Sequence, residues 1–177
     1  MNHRTSIADI PELLLPLTSI LKTDCSPEAV CIALARSFEV QSTEVALLRL
    51  NDGLLRFLYP EHLRSTGGIP ITSSAIAAHT ALSKTAEIFN NFAEVKHASI
   101  FEFIRPTDAD VNWQVPLRIQ KLMSVPIIES TKSKAIGVIQ ISHKGLEARF
   151  VPDFTREEMH NLELAADLLS TAPFLVS

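Results

Sequence analysis

Two Glu-x-x-His runs, Glu94-Val95-Lys96-His97 and Glu157-Glu158-Met159-His160, hold the residue types of a metal site. On a helix that spacing puts a carboxylate and an imidazole on one face, as in di-iron four-helix bundles, which add two further inward carboxylates. The chain around them is strand-rich, and His160 has Glu163 and Asp167 beside it on the polar side of its helix. Coincidence is the better reading, and no metal is expected. Cys25 and Cys31 are the only thiols. A reactive thiolate needs a cationic or helix-N-terminal setting. Cys25 precedes Ser26 at a helix start, but Asp24 opposes its ionisation, and Cys31 falls inside the helix, so buried or incidental thiols are expected. His79, near Thr80 and Ser83, reads as a packing residue rather than a base. With five glycines, the chain has no Gly-x-Ser-x-Gly and no phosphate-cradling loop. No catalytic constellation emerges, and the reading is that of a non-enzyme.

Binding is better served. A small-molecule site needs an apolar concavity with a few placed polar groups. Residues 89–114 contain both: Phe89, Phe92, Phe101 and Trp113 as walls, and Asn90, His97 and Asn112 as hydrogen-bonding groups. The same aromatics could instead close a core over a sheet.

Bulk properties narrow the partners. The 177 residues are 46% hydrophobic and 20% charged, which suits one globular domain. The formal net charge of −4 offers nothing to nucleic acid or an anionic membrane. The most basic stretch, Arg118 to Arg149, is interrupted by Glu129 and Glu147 and has the character of a solvated face. No apolar run approaches the roughly 20 residues that span a bilayer. The amino terminus does not resemble a secretory signal, and two cysteines make no disulfide framework, so a cytoplasmic location is expected.

The elements that must position these residues can be read in turn. Residues 10–22 are helical, with Pro16 expected to kink or interrupt them. A second helix starts with Ser26 as cap, Pro27 in its first turn and Glu28 at its positive end, and buries Val30, Leu34 and Phe38. Residues 43–50 and 54–59 form a hairpin about Asn51-Asp52-Gly53. Residues 73–84 are a short helix with Ile76, Ala77 and Leu82 on its apolar side, 86–90 a short strand, and 91–106 a helical excursion. Residues 121–129 and 135–143 make a second hairpin in which Pro126 favours an edge or a bulge. Thr155 and Glu158 form a capping box for a last helix that buries Met159, Leu162, Ala166 and Leu169 and stops at Pro173. An α/β (α+β) fold follows, a central antiparallel sheet with helices on both faces.

This order, with particular residues at its corners, resembles a GAF domain, the ligand-sensing module of bacterial signalling proteins. The likeness rests on Ser26-Pro27-Glu28-Ala29-Val30, on Ile71-Thr72-Ser73-Ser74-Ala75-Ile76 leading to Ile88, on Leu122-Met123-Ser124-Val125-Pro126-Ile127 with Ala135-Ile136-Gly137-Val138-Ile139-Gln140-Ile141, and on Phe154-Thr155-Arg156-Glu157-Glu158 with Leu162 and Ala165-Ala166. The resemblance implies a six-stranded antiparallel sheet over residues 26–175 with a pocket under the excursion. Residues 1–25 would be a helical segment packing on that domain or pairing two of them. It implies small-molecule sensing, passed on through a homodimer or a partner; a parallel bundle of the terminal helices would hide Leu13, Leu14, Leu17 and Leu169. A ligand-free interaction module is the alternative. A third reading is a thiol enzyme, since some GAF-like proteins reduce free methionine sulfoxide. One subgroup binds cyclic nucleotides through an Asn-Lys, Phe, Asp-Glu pattern. Here Lys144, Phe154 and Glu157-Glu158 match in part, but His143 replaces the Asn and the spacing is short, so Lys144 is expected to pair with Glu157 or Glu158 instead. No cofactor is implied.

Overall fold

The structure, a computed structural model, describes residues 9–92 and 117–176. Its first turns are governed by proline. Pro16 lies in the first turn of α1 (Leu15–Thr23), where an N–H would have no intrahelical partner anyway, and Glu12–Leu14 ahead of it form a 3-10 turn. The expected interruption is thus a helix start. Helix α2 (Pro27–Ser37) opens as expected, with the Ser26 hydroxyl accepting from the Ala29 amide at 3.2 Å. Strands β1 (Val45–Asn51) and β2 (Leu54–Tyr59) are joined by Asp52 and Gly53, both at positive φ (48° and 74°), the pair of left-handed residues that matches a two-residue turn to strand twist. The residues just before β1 are not strand: Ser42–Glu44 form a 3-10 turn held by reciprocal bonds between Gln41 and Glu44.

After a two-residue strand β3 (Ile69–Pro70) comes α3 (Ile76–Ser83). It starts later than expected, because Ala75 is extended and the Ser73 hydroxyl accepts from the Ala75 amide. Its buried side is Ile76, Ala77, Ala78, Thr80 and Ala81. Leu82, expected on that side, is 65% exposed. Positions 76, 77, 80 and 81 recur at the spacing of one helical face, and 82 falls off it. Strand β4 (Glu87–Phe89) follows. The excursion expected over 91–106 lies, beyond Phe92, outside the described residues.

Two long strands, β5 (Arg118–Glu129) and β6 (Lys134–Gly145), carry the centre of the molecule. The long helix α4 (Arg156–Leu169) opens with the expected capping box: the Glu158 amide donates to the Thr155 hydroxyl at 3.1 Å, and the Thr155 amide to the Glu158 carboxylate at 2.7 Å. It ends at Ser170, before Pro173, which instead starts a short helix α5 (Pro173–Val176), again by occupying a first turn.

The sheet is antiparallel and six-stranded, in the order β3-β2-β1-β6-β5-β4. Pro126 follows Ser124, the last β5 residue paired with β4, and precedes a register shift between Ile127 and Ile128. It therefore stands where β5 has become an edge, beside a bulge, and its missing donor leaves no ladder bond unmade. Alternation along the strands feeds two cores. Met123, Val125, Ile136, Ile139 and Ile141 face α1, α2, α4 and α5. Ala46, Leu48, Leu55, Leu122 and Val138 face α3. Gly137 has a steric reason: a Cβ there would lie 2.5 Å from the Leu48 carbonyl oxygen.

The helical core also consumes residues assigned above to a dimer. Leu14, Leu17 and Leu169 are 0% exposed within the single chain and pack with α2 residues Val30 and Leu34. They fill this chain's own core, and Leu15 and Val176 are the apolar side chains that the terminal helices leave exposed.

Candidate functional site

Three polar side chains are buried on the α3 face, one from each element that meets there: Thr80 of α3, Ser124 of β5 and Gln140 of β6. Their bonding has one direction. Thr80 Oγ1 donates to the Ile76 carbonyl at 2.9 Å, so in its 2.7 Å contact with Ser124 Oγ it must accept. Ser124 thus spends its proton on Thr80 and accepts from Gln140 Nε2 at 3.0 Å. Each hydroxyl has one proton to give, so the chain Gln140 to Ser124 to Thr80 to Ile76 fixes the Gln140 amide orientation. Gln140 Oε1 is left over: no hydrogen bond among the described residues reaches it, though the residue is only 4% exposed. It is an acceptor on a floor otherwise made of Leu48, Leu122 and Val138. Ser142, two positions on and on the same side of β6, is also buried and donates to the Glu44 carbonyl at 3.3 Å.

The residues expected to form a pocket divide. Phe92 is buried in the α3-side core and Phe89 packs against it, which places both at that face. Asn90 faces elsewhere. Its Nδ2 donates to the Phe154 carbonyl at 3.0 Å and its Oδ1 accepts from the Phe154 amide at 2.8 Å. Both ends of the amide are spent on holding the end of β4 to the residue before the α4 cap. His97, Phe101, Asn112 and Trp113 lie outside the described residues.

Phe154 is a junction in its own right. The His143 ring stacks on it at 4.0 Å and 10°, and burial holds that imidazole below its usual value despite nearby Glu44 and Glu158. Beside it, Lys121 Nζ donates to the Val151 carbonyl at 2.8 Å and pairs with Asp153. Lys144, expected to pair with Glu157 or Glu158, donates to the Thr43 carbonyl at 2.8 Å, and Glu158 is engaged in the cap. Lys121, together with Asn90, ties the sheet to the segment that leads into α4.

Cys31 is fully buried in the helical core, and burial pushes its thiol well up. Cys25, half-buried against the same core, is raised by burial and then by Asp24. His79, expected to pack, is at the surface with Nδ1 3.0 Å from a Glu87 oxygen. His160 is exposed on α4.

This six-stranded antiparallel sheet with α3 on one face and the terminal helices on the other has counterparts of known structure. The GAF domain of the Acinetobacter phosphoenolpyruvate-protein phosphotransferase superimposes over 90% of this chain and 89% of that one, with a TM-score of 0.65 at 13% identity. The fold is GAF-like. Free methionine-R-sulfoxide reductases share this GAF-like fold. The Neisseria meningitidis protein, in complex with its substrate, matches over 93% of this chain and 88% of that one (TM-score 0.60, 13% identity). A type II reductase from Thermoplasma acidophilum matches over 87% and 92% (TM-score 0.57, 16% identity). No family model and no curated protein matches the sequence. At these identities the likeness is one of fold, and this GAF-like chain's chemistry has to be argued from its own residues.

Thr80, Ser124 and Gln140 are not among the site residues expected from the sequence. The signal was there: Ser124 and Gln140 interrupt otherwise apolar β-runs, Leu-Met-Ser-Val and Val-Ile-Gln-Ile, at inward positions. A polar residue in such a place needs a partner or a purpose.

Proposed function

We propose that the chain is a sensory or regulatory domain that binds a small molecule on the α3 face and passes its occupancy on through contacts with a partner or a second copy. The observation that carries this reading is the directed chain on the floor of that face, which ends in the unused acceptor Gln140 Oε1. A purely structural polar cluster would close on itself. This one presents a single oriented acceptor in apolar surroundings, the combination by which binding sites select a ligand donor. Charge is not part of it, since Thr80, Ser124 and Gln140 are neutral; the ligand then offers a hydroxyl, amide or similar donor together with apolar surface. Phe89 and Phe92 supply wall, and Trp113 is proposed to complete it.

Thiol chemistry fits less well. The sulfoxide reductases share this fold, but both cysteines of this chain sit with the helical core, and residues 93–116 contain none.

The test is native mass spectrometry of the purified protein, followed by a thermal-shift screen of small metabolites against wild type, Gln140→Met and Trp113→Ala. A ligand that raises the wild-type Tm and loses that effect in Gln140→Met supports the reading. Equal shifts in wild type and both variants would remove the site from this face. A protein that neither carries an adduct nor responds to any compound would favour an interaction module.

A further inference from the structure

A second polar feature lies on the opposite face of the sheet. Arg49 of β1 and Arg56 of β2 are direct cross-strand partners. Leu48 and Leu55 beside them belong to the α3-side core, so by alternation both arginines point to the face that bears the terminal helices. On the other flank, Arg49 pairs with Gly137, and the space a Cβ would take there is bounded by the Leu175 side chain of α5. The two side chains therefore leave the sheet as direct neighbours on the face of the helical layer, Arg49 half-buried and Arg56 exposed.

Among the described residues no ion pair uses either of them. The ion pairs of the described residues use other partners: His79 with Glu87, Lys121 with Asp153, Lys132 with Glu129 and Arg149 with Glu147. Arg49 Nε is moreover buried with no hydrogen-bond partner. Like charges directly opposite in a sheet are destabilising, and a buried unpaired donor costs further. Two adjacent local costs with no offsetting ion pair among the described residues mark a place that an anion would relieve.

We infer that Arg49 and Arg56 form a binding site for a phosphate group, free or as a phosphate monoester. A phosphate accepts from the outer Nη groups of both planar guanidinium groups at once, and the buried Arg49 Nε–H beside them senses the charge it brings. Its double negative charge offsets the cross-strand repulsion that a single carboxylate would offset only in part. The site is on the face opposite Gln140 and independent of the function proposed above.

The experiment is an NMR titration of the 15N-labelled full chain, following the Arg49 Nε–Hε resonance with inorganic phosphate, glycerol 1-phosphate and acetate in parallel at constant ionic strength. A saturable shift with phosphate or its ester, at least tenfold weaker in Arg56→Gln and with acetate, is the expected result; which of the two phosphates binds tighter distinguishes the free ion from an ester. Arg56 is exposed, so its variant should fold, and relief of the repulsion should leave its Tm without phosphate equal to or above that of wild type. An Arg49 resonance that phosphate does not move, that moves identically in Arg56→Gln, or that responds equally to acetate would overturn the assignment.

Discussion

The two faces of the sheet are built on opposite rules. The helical face is mainly apolar in its interior, with Asn161 and Lys121 as buried exceptions at its margin: Leu14, Leu17, Leu34, Ile139, Leu162 and Leu169 are completely buried, and even its thiol, Cys31, is held protonated by burial. The α3 face has an apolar frame of Leu48, Leu55, Leu122 and Val138, with Thr80, Ser124, Gln140 and Ser142 buried in the sheet and helix that form it. One face invests in packing; the other places hydrogen-bonding groups where leucine or valine would have stabilised the fold at no cost in desolvation. That contrast is the physical ground for the site proposed at the α3 face.

Substitutions on the two faces should separate these rules. The largest effect is expected at Leu34, which is fully buried in the helical core. Leu34→Ala should lower unfolding free energy by about 3 kcal/mol, the usual combination of lost burial and residual cavity. Urea titration measures it, and a loss under about 1 kcal/mol would mean that this face repacks freely. Next comes Ser124→Ala. It removes the donor to Thr80 and the acceptor for Gln140 Nε2 together, and should cost about 1–3 kcal/mol by stranding the buried amide. If Ser124→Ala is neutral or stabilising, the directed chain is incidental and the contrast between the faces collapses.

The two faces were not equally legible. Helix starts, the Asp52-Gly53 turn, the β5–β6 hairpin and the α4 cap could all be read in the sequence, because each depends on residues within a few positions: Ser26 with Ala29, Thr155 with Glu158, Asp52 with Gly53. What escaped depends on partners far along the chain. Thr80 meets Ser124 across 44 positions, and Asn90 meets Phe154 across 64, so no local spacing announces either pair. Leu82 and Asn90 show the same limit from the other side. An apolar residue on a short helix and an amide beside aromatics suggest core and pocket, yet tertiary geometry puts Leu82 in solvent and turns Asn90 to the main chain of Phe154. Proline punctuates the chain, but Pro16 and Pro173 open helices, where a kink and a stop are expected from the sequence.

A smaller effect should come from the clasp between the faces. Asn90→Ala deletes both bonds to the Phe154 main chain and is expected to cost about 1–2 kcal/mol, leaving the capping box of α4 intact. Hydrogen exchange separates this from a general loss: protection should fall at the Phe154 amide and hold at the Glu158 amide. Loss at both would mean that Asn90 positions the whole helix start.

The smallest effect is a pH dependence at the same junction. His143 stacks on Phe154 with its folded value held below the ordinary 6.5, burial outweighing the attraction of Glu44 and Glu158, and Lys121 adding to the depression. The folded state therefore binds this proton less readily than the unfolded chain does. The neutral ring's contribution to stability is complete above pH 6.5 and declines as pH falls through the lower folded value. Denaturation midpoints of wild type should thus drop between pH 7 and pH 5 by more than those of His143→Gln, which keeps a planar polar side chain but does not titrate. The two proteins differ at this residue alone, so the difference between their curves reports His143. Parallel curves would show that water reaches the imidazole well enough to accept its charge, and that the packing around Phe154 is looser than that of the helical core beside it.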